Sequence, residues 1–360
     1  MRDLLNEYDR LAATGRVGRA VVTRVWGSAP RPEGACLLAT PDGRMAGSVS
    51  GGCVEGAAAE EIRAAIADGK PRRVGWGVTH ERAWEMGLSC GGTIEVFVEP
   101  SVRAELLEAA RRPQGSVVAT VIGGNGPAPV GAGLLLEESG ARRRFGELRG
   151  GLEEMIAAQA AGALAGLTSR VESLDTADGP VEVFLEVFPR RPTLLVFGGV
   201  HIATALVRLA KPLGFRTVVA DGREAFLTRE RFPDADELIL GWPDEVFRKV
   251  GLDPATCVCL LTHDPKFDEP ALDLALRSPA CYVGAIGSRK TQAARRERLR
   301  TAGFSDAEIA RLRGPIGLDL GGRNPAEIAL AILAEITAVR YGRATPAGAR
   351  APAGAAPGGN

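Results

Sequence analysis

An internal repeat in the N-terminal half is the feature that most limits what this chain can fold into. An offset of 97 residues superimposes glycines, prolines and apolar residues, and after small insertions Glu95-Val96-Phe97 meets Glu182-Val183-Phe184. Self-similarity of this kind indicates two copies of one structural unit. We predict a mixed α/β domain over 1–190, built from two similar β-β-α-β copies at about 18–100 and 115–188.

Comparison of the two copies shows which cysteines the shared fold does not require. Copy one has Cys36, Cys53 and Cys90, whereas Gly133 stands opposite Cys36 and Leu152 stands opposite Cys53. Because the second copy manages without them, the fold alone does not need these thiols. Cys36 lies inside an apolar run and is interpreted as a core residue. Cys53 and Cys90 are therefore the candidates for chemistry.

The C-terminal half alternates short apolar runs with helical segments. Pro189 and Pro192 indicate an interdomain link, because proline restricts the backbone around it. Short strands separated by helices are typical of a doubly wound parallel sheet, so we predict a Rossmann-like parallel-sheet domain over 192–340. The predicted strands are Thr193–Phe197, Thr217–Ala220, Glu237–Leu240, Cys257–Thr262 and Cys281–Ile286. Cys257 and Cys259 alternate along one of these strands and are interpreted as packing residues.

A helix start marks the last element of this domain. In Asn324-Pro325-Ala326-Glu327, Asn suits the N-cap, Pro the first helical position and Glu the third, where it can reach back to the cap. We predict a helix from there to about Tyr341. Residues 341–360 are rich in Ala, Gly and Pro without an apolar pattern, so we predict a disordered tail.

Charge and composition argue against several classes of protein. Lys plus Arg and Asp plus Glu each number 44, and a net charge of zero argues against a mainly electrostatic nucleic-acid binder. No apolar run reaches the ~18 residues of a membrane span, and the N-terminus lacks the apolar core of a signal peptide. We expect a cytoplasmic protein whose cysteines are reduced thiols. The chain has no C-x-x-C pair, which argues against a structural zinc site.

Two cysteines beside paired glycines are candidates for a ligand or reaction site. Ser50-Gly51-Gly52 leads Cys53 into a predicted helix over Ala57–Ala67, and the backbone N–H groups of such a turn favour an anion, either a phosphate or a thiolate. A helix N-terminus lowers the pKa of a cysteine from about 8.5 to between roughly 3.5 and 7.5. Cys90-Gly91-Gly92 precedes the predicted strand Thr93–Val98 in a similar way. The alternative is that both cysteines are small residues in tight turns.

Arg31 lies in a connection rich in Gly and Pro between two predicted strands. Its guanidinium could hold a phosphate or a carboxylate through two parallel hydrogen bonds. The alternative interpretation is an exposed arginine in a turn, which would have no role in binding.

One strand–turn–helix segment partly matches the dinucleotide-binding fingerprint G-x-G-x-x-G/A. Gly198 fits the first glycine and Ala203 the third, but Val200 stands at the second. A branched side chain would crowd a pyrophosphate, and if the turn needed a positive φ it would add roughly 1–2 kcal/mol of strain. Asp221 follows 23 residues after Gly198, about where a ribose-binding acid belongs. The fingerprint therefore lacks its second glycine, the position at which the backbone of a nicotinamide enzyme approaches the pyrophosphate.

Several polar residues follow the predicted strands of this half. Gly199 and His201 follow the first strand, Asp221 the second, His263 the fourth and Arg289 the fifth. Ligands of open parallel sheets bind beyond the carboxyl ends of the strands, so we predict a ligand crevice at this edge. The alternative is that the histidines cap helices or hold loops, and that Arg289 belongs to a solvated helix start.

In their order along the chain, these motifs resemble the xanthine dehydrogenase accessory proteins of the XdhC/CoxI family. The resemblance covers about 15–340, and six blocks in sequence are far more specific than any one of them. The blocks are Gly27-Ser28-Ala29-Pro30-Arg31-Pro32, Gly47-Ser48-Val49-Ser50-Gly51-Gly52-Cys53-Val54-Glu55-Gly56, Gly87-Leu88-Ser89-Cys90-Gly91-Gly92-Thr93-Ile94-Glu95-Val96-Phe97, Leu261-Thr262-His263-Asp264, Gly284-Ala285-Ile286-Gly287-Ser288-Arg289 and Ile316-Gly317-Leu318-Asp319.

This resemblance implies a maturation factor rather than a redox enzyme. Proteins of the family bind the molybdenum cofactor, protect it, and promote exchange of an oxo ligand for sulfido with a cysteine desulfurase. They then deliver it to a molybdenum hydroxylase such as xanthine dehydrogenase. The expected cofactor is thus a molybdopterin, with or without an attached nucleotide, and NAD(P) is not expected.

The resemblance also assigns roles to residues of this chain. Cys53 and Cys90 would handle molybdenum or sulfur, since thiolates are soft ligands that suit a molybdenum–dithiolene centre. His201 would be the histidine of the family's Gly-x-Gly-His turn, from which this chain departs at Val200. A pterin phosphate would suit helix N-termini and Arg289.

Two other functions stay open from the sequence. A nicotinamide-dependent dehydrogenase is favoured by the strand–turn–helix and Asp221 and disfavoured by Val200. A non-catalytic adaptor would dock to the dehydrogenase without needing Cys53 or Cys90. A homodimer that closes the surface bearing the cysteines over the edge of the Rossmann sheet is a further arrangement to be tested.

Overall fold

The chain divides into two compact units. The computed structural model describes residues 1–27, 31–77 and 92–343. The first unit is Met1–Arg190 and the second begins at Arg191. Nearly all of the tail predicted over 341–360 lies outside the described residues.

The first unit contains two five-stranded antiparallel sheets with the same strand order. The strands of the first sheet are β1 (Gly18–Trp26), β2 (Cys36–Ala39), β3 (Met45–Gly47), β4 (Arg72–Trp76) and β5 (Thr93–Glu99). Those of the second are β6 (Ser116–Gly124), β7 (Gly133–Glu137), β8 (Arg142–Phe145), β9 (Arg170–Thr176) and β10 (Gly179–Phe188). The α-helices in the described part of this unit are α1 (Leu5–Ala12), α2 (Glu55–Asp68), α3 (Ala104–Arg111) and α4 (Leu152–Gly166).

The strand orders β3-β2-β1-β5-β4 and β8-β7-β6-β10-β9 confirm the duplication. In the residues that the structure describes, each copy is β-β-β-α-β-β and so has two more strands than the predicted β-β-α-β unit. The added strands lie at the sheet edges. In copy one they are β3, which has three residues, and β4, which begins with two arginines. Neither shows the alternation of apolar and polar residues that marks a half-buried strand.

The two sheets pack face to face through one apolar core. This core joins side chains of copy one to their repeat equivalents in copy two, namely Val21 and Val118, Leu38 and Leu135, and Phe97 and Phe184. Cys36 lies in the same core with 2% of its surface exposed, as the sequence predicts. The outer faces are covered by α2 on copy one and α4 on copy two. The first unit is therefore a four-layer sandwich of helix, sheet, sheet and helix.

A buried ion cluster joins the two copies. Arg19 of β1 donates to Glu99 of β5 at 3.3 Å and to Glu186 of β10 at 2.5 Å. Arg103 donates to the other oxygen of Glu99 at 2.6 and 2.9 Å. Burial would lower the pKa of Arg19, but Glu186 and Glu99 together raise it above its ordinary value, so the guanidinium stays charged. Buried charges are tolerated when they are paired in this way.

A second group of ion pairs lies along the same two strands. Arg24 donates to Glu95 at 3.2 Å and to Glu182 at 2.6 Å. Arg73 donates to Glu95 at 2.6 Å and also to Glu182. The four acids are repeat equivalents on β5 and β10, whereas the three arginines that each pair with an acid on both strands, Arg19, Arg24 and Arg73, come from copy one. The interface between the copies is thus symmetric in its acids and asymmetric in its cations.

The second unit is a doubly wound Rossmann domain, as predicted. Its strands are β11 (Thr193–Phe197), β12 (Arg216–Asp221), β13 (Glu237–Leu240), β14 (Thr256–Leu260), β15 (Tyr282–Ala285) and β16 (Leu312–Arg313). Its helices are α5 (His201–Ala210), α6 (Pro243–Val250), α7 (Pro265–Arg277), α8 (Arg289–Thr301), α9 (Asp306–Ala310) and α10 (Pro325–Arg340). The strands pair in parallel in the order β13-β12-β11-β14-β15-β16, with one apolar core on each face of the sheet.

The sequence predicts five of these six strands. The strand it misses, β16, has only two residues and is too short to show a pattern. The last helix begins as predicted, with Asn324 and Glu327 forming a reciprocal cap around Pro325. None of the helices in the described part of the chain is long and apolar enough to cross a membrane.

Replacing Arg19 by Met should lower the free energy of unfolding by about 3–5 kcal/mol, because Glu186 would stay buried without the guanidinium that it contacts. Urea unfolding followed by circular dichroism measures this change. The double variant Arg19→Met, Glu186→Gln should recover part of the loss, since the uncompensated charge is then removed. An Arg19→Met variant as stable as the parent would contradict the role assigned to the cluster.

Candidate functional site

The loop before α2 is built around the carboxylate of Glu55. The backbone N–H groups of residues 49–52 all donate to it, over 2.8–3.2 Å. The hydroxyls of Ser48 and Ser50 also donate to it, each at 2.7 Å. Burial opposes ionisation, but the bonds from Ser48, Ser50 and the backbone outweigh it and hold the pKa of Glu55 at about 2. Glu55 is thus ionised at neutral pH and fixes the shape of the loop.

The anion predicted at Ser50-Gly51-Gly52 is therefore supplied by the chain itself. The N–H groups converge as the sequence predicts, but they already hold Glu55 and are not open to an anionic ligand. This corrects their role from binding a phosphate to shaping the loop. The position of Glu55 in the first turn of the following helix could have predicted this, since acids there accept hydrogen bonds from the N–H groups of the helix start.

Cys53 is presented by this loop. Its backbone N–H donates to the Ser50 hydroxyl at 3.1 Å, and the N–H of Val54 donates to the same oxygen at 3.0 Å. The Cys53 side chain is half-buried and packs against the apolar core of copy one. Six hydrogen bonds to Glu55 and two to Ser50 restrain the backbone on which the thiol stands.

Copy two has no such loop. Leu152 replaces Cys53 and is fully buried. Glu154 stands where copy one has Glu55, but its side chain is 75% exposed and pairs with Arg142. Glu147 and Arg149 replace the two serines and pair with each other. The scaffold therefore folds without this arrangement, which points to a role for it beyond stability.

The other predicted residues of the first unit are only partly described. Cys90 and Gly91 lie outside the described residues, whereas Gly92 is half-buried immediately before β5. Arg31 is half-buried, not the exposed turn arginine of the alternative interpretation. Among the described residues, its Nε atom is shielded from solvent with no hydrogen-bond partner.

In the second unit, Asp221 holds the glycine-rich turn that follows β11. Its fully buried carboxylate accepts the Gly199 N–H at 2.8 Å and three N–H groups of Arg223 at 2.9–3.0 Å. Burial alone would raise the pKa of Asp221, but these bonds lower it below its ordinary value. The prediction of a ribose-binding acid needs correction, because both oxygens are engaged inside the protein.

The turn itself is covered by the chain. A Cβ on Gly199 would lie 2.3 Å from the carbonyl oxygen of Phe226, and a Cβ on Gly198 would lie 2.8 Å from the Thr262 nitrogen. The close approach that the glycines of a dinucleotide-binding turn give to a pyrophosphate is here an approach of other parts of the protein to the turn. Val200 has a φ of −84°, so the strain considered for a positive φ does not arise.

Three of the predicted residues lie exposed at the carboxyl edge of the sheet. His201 begins α5 after β11, His263 follows β14, and Arg289 begins α8 after β15. Since β11, β14 and β15 are neighbours in the sheet, these residues follow adjacent strand ends. The structure thus brings His201, His263 and Arg289 to one edge, and it places Asp221 at the same edge but beneath the surface.

A buried polar group that the sequence did not reveal supports this edge. Thr262 donates to Asp268, and Arg295 donates to the other oxygen of Asp268 at 2.6 Å. Arg295 also donates to the carbonyl of Ile286 at 2.5 Å. These bonds tie the segment after β14 to the segment after β15, and so position the loops that carry His263 and Arg289.

A cavity of about 250 Å³ lies at the same edge, beyond β16. Its walls are residues 315–322, Ile328, Ala331 and Arg289. Gly317 is needed there, because it has a φ of +89° and a Cβ would lie 3.1 Å from the Ile332 nitrogen. Arg289 and Asp319 supply the charged groups of the cavity, whose other lining residues are apolar side chains and glycines, and such a lining suits a flat ligand that carries polar groups. In the described ranges 1–27, 31–77 and 92–343, no three His, Cys, Asp or Glu side chains are grouped to hold a metal ion.

Two family profiles match the chain. The profile of the XdhC Rossmann domain matches residues 194–336, and the profile of the XdhC and CoxI family matches residues 10–77. The chain belongs to the XdhC/CoxI family. Together, the two matched segments cover more than half of this XdhC/CoxI protein and include Cys53, Asp221, His263 and Arg289.

Similarity to known proteins extends over both units. A probable xanthine dehydrogenase subunit of Bacillus subtilis (strain 168) is 27% identical over 328 residues, covering 89% of this chain and 92% of that protein. The molybdenum cofactor insertion chaperone PaoD of Escherichia coli (strain K12) is 27% identical over 326 residues, covering 90% and 84%. The crystal structure of a xanthine dehydrogenase from Bacillus halodurans matches this XdhC/CoxI protein with a TM-score of 0.75 at 26% identity, covering 96% and 97%.

Replacing Glu55 by Gln should lower the free energy of unfolding by about 2 kcal/mol at pH 7, because the hydrogen bonds to its charged oxygens are lost. A lowered carboxyl pKa contributes stability above the unfolded value of 4.5, and that contribution is lost as the pH falls toward about 2. The difference in the free energy of unfolding between parent and variant should therefore become smaller as the pH falls over this range. Urea titrations at several pH values measure it. Glu154→Gln at the exposed repeat equivalent is the control and should cost less than about 1 kcal/mol. Equal losses at the two sites would contradict the role of Glu55.

Replacing Val200 by Gly should lower the free energy of unfolding by about 1 kcal/mol, because its negative φ needs no glycine and the unfolded chain gains freedom. Thermal unfolding measures the change, and Val200→Ala should cost less. Calorimetry should detect no gain of NAD or NADP binding in Val200→Gly, since Phe226 still covers the turn. A stabilised variant that binds NAD would reverse this interpretation.

Proposed function

We propose that this protein is a maturation chaperone for the molybdenum cofactor. It binds the cofactor, supports its sulfuration and delivers it to a molybdenum hydroxylase of the xanthine dehydrogenase type. The observation that carries the proposal is the loop clamped by Glu55, which occurs in copy one alone and presents Cys53. Similarity over most of the chain to a cofactor insertion chaperone supports it.

The thiol of Cys53 suits the molybdenum end of this cargo. The cargo supplies a soft metal centre that accepts thiolate or sulfide ligands. The restrained loop gives the thiol a preset position, so little ordering is needed when the cargo binds. We assign the same role to Cys90, with Gly91 and Gly92 allowing close approach of the backbone. A few soft contacts, without an enclosing set of ligands, suit a site that must release what it binds.

The anionic end of the pterin suits the carboxyl edge of the second unit. The cavity is lined by Arg289, Asp319 and apolar side chains, and His201 and His263 follow neighbouring strand ends. Arg31 in the first unit is a further cation for a phosphate, since a guanidinium can bind one through two parallel hydrogen bonds. The turn at Gly198-Gly199 supports the backbone at this edge and is not proposed to bind a pyrophosphate.

Nicotinamide chemistry is not favoured by the geometry of the turn. Asp221 holds the turn through Gly199 and pairs with Arg223, so a ribose would have to displace these bonds. Phe226 occupies the position where a dinucleotide would approach the backbone. Displacing either group would cost buried hydrogen bonds or packing.

Loading of cargo tests the role of the thiols. The protein is purified from cells that make the cofactor, and bound pterin and molybdenum are measured per mole of folded protein. The double variant Cys53→Ala, Cys90→Ala should lose at least about tenfold of both, which corresponds to about 1.4 kcal/mol of binding free energy. Cys36→Ala removes a buried core thiol and should load like the parent. Equal loading of parent and double variant would remove the thiol role.

Delivery tests the proposed partners. The loaded protein is mixed with a cofactor-free xanthine dehydrogenase, with or without a cysteine desulfurase, and the activity gained is measured. We expect full activation only with the desulfurase present. Activation by the double variant lacking Cys53 and Cys90 would instead support a simple adaptor. Light scattering of loaded and unloaded protein tests whether the chaperone acts as a homodimer.

Replacing Arg289 by Gln should weaken binding of the pterin phosphate by about 10-fold or more, because one charge-assisted contact is worth roughly 1.5–3 kcal/mol. Titration with the isolated pterin species gives the dissociation constant. Arg300→Gln on the same helix is a control, because its side chain is 52% exposed and pairs with Glu297 of that helix. Equal affinities of the two variants would show that the cavity is not part of the binding site.

A further inference from the structure

Two cysteines that the proposed function does not use face each other near the amino ends of β14 and β15. The Sγ atoms of Cys257 and Cys281 are 3.5 Å apart. The N–H of Cys281 donates to the carbonyl of Thr256 at 2.9 Å, which fixes the two residues on adjacent parallel strands. The register places Cys257 opposite Tyr282, so Cys281 is displaced from it by one residue along the neighbouring chain segment. A strand spacing of about 4.8 Å and a rise of about 3.3 Å per residue put the two Cα atoms roughly 5.8 Å apart, within the range of roughly 4.4–6.8 Å found in disulfides.

We propose that Cys257 and Cys281 form a redox-active dithiol, which a low-molecular-weight disulfide such as oxidised glutathione converts to an intramolecular disulfide. Cys257 lies in the apolar core of the second unit, as the packing prediction requires, and the proposal adds a redox role to it. The inference does not depend on the proposed function, because it concerns a different pair of thiols at the other end of the sheet from the carboxyl edge.

The surroundings make the two thiols unequal. Cys257 is fully buried, whereas Cys281 is half-buried and can be reached from outside. The bond between the two sulfurs lowers the pKa of Cys281 and Arg340 assists, against the opposing effect of burial. The same bond and burial both raise the pKa of Cys257. Cys281 is therefore the thiolate that attacks, and Cys257 is the thiol that resolves.

The exchange balances without a further reactant. The Cys281 thiolate attacks one sulfur of oxidised glutathione, forming a mixed disulfide and releasing one glutathione thiolate. Cys257 then loses its proton to solvent, and its sulfur attacks that of Cys281, releasing the second glutathione thiolate. Two protein thiols are oxidised to one disulfide, and one external disulfide is reduced to two thiols.

Cys259 provides the contrast within the same strand. It lies two residues after Cys257 on the same face of β14 and is fully buried. Burial, with the nearby Glu335, raises the pKa of this thiol well above its ordinary value. A buried thiol held in its protonated form is inert, so Cys259 should stay reduced under conditions that oxidise the pair.

Peptide mapping of the full chain tests the proposal. The reduced protein is treated with oxidised glutathione, the remaining thiols are alkylated, and a tryptic digest is analysed by mass spectrometry. We expect the peptides 250–266 and 278–289 to be joined by a disulfide. Both Cys257 and Cys259 lie in the first peptide, so the linkage must also form in a Cys259→Ala variant. Alkylated Cys257 and Cys281 in the treated parent, or a linkage lost in Cys259→Ala, would overturn the proposal.

Two single variants test the order of the steps. Cys257→Ser should stop at the mixed disulfide and retain one glutathione on Cys281. Cys281→Ser should form neither the adduct nor the linkage, and Cys257 should remain open to alkylation once the protein is unfolded. Circular dichroism before treatment shows that each variant is folded. Glutathione retained on Cys281 of the parent, with Cys257 reduced, would mean that the pair does not resolve and would reject the dithiol.

Discussion

The single guanidinium of Arg19 is the contact on which the first unit depends. Duplication of one sheet brings two equivalent acids, Glu99 and Glu186, to the interface between the copies, and each would be costly to bury alone. One arginine placed between them serves both. Neither copy can keep this arrangement without the other, so the apolar core between the sheets and the ion cluster within it make the repeat a single cooperative structure.

The asymmetry of that interface matches an asymmetry in the loops of the two copies. The bridging arginines and the loop around Glu55 both belong to copy one, whereas copy two keeps the shape of the fold with Leu152 and an exposed Glu154. Copy two thus acts as the support against which copy one is held. A duplicated fold allows this division, because one copy can change its loops while the other maintains the shared core.

The sequence predicts the architecture better than the chemistry of individual residues. Periodicity and repeat spacing locate nearly all strands, since burial imposes these patterns directly, and only short or edge elements such as β16 and β3 escape. The roles of Gly51 and Asp221 could not be predicted from spacing. Each motif predicts that an anion is bound by N–H groups, but not whether both groups belong to the protein. In the structure they do, because Glu55 accepts from the N–H of Gly51 and Arg223 donates to Asp221. The contact between Asp268 and Arg295 could not be predicted from the sequence, because the two residues are 27 positions apart and belong to no motif.

The carboxylate seated in the loop has a consequence for selectivity. A thiol beside an unfilled nest of N–H groups would compete with every phosphate ester in solution, since such nests bind anions of many kinds. With Glu55 in place the nest is filled, and its negative charge repels other anions from the neighbourhood of Cys53. For the proposed chaperone, this means selection by charge: free oxyanions are disfavoured beside Cys53, and the soft metal or sulfur centre of the proposed cargo suits the thiol better.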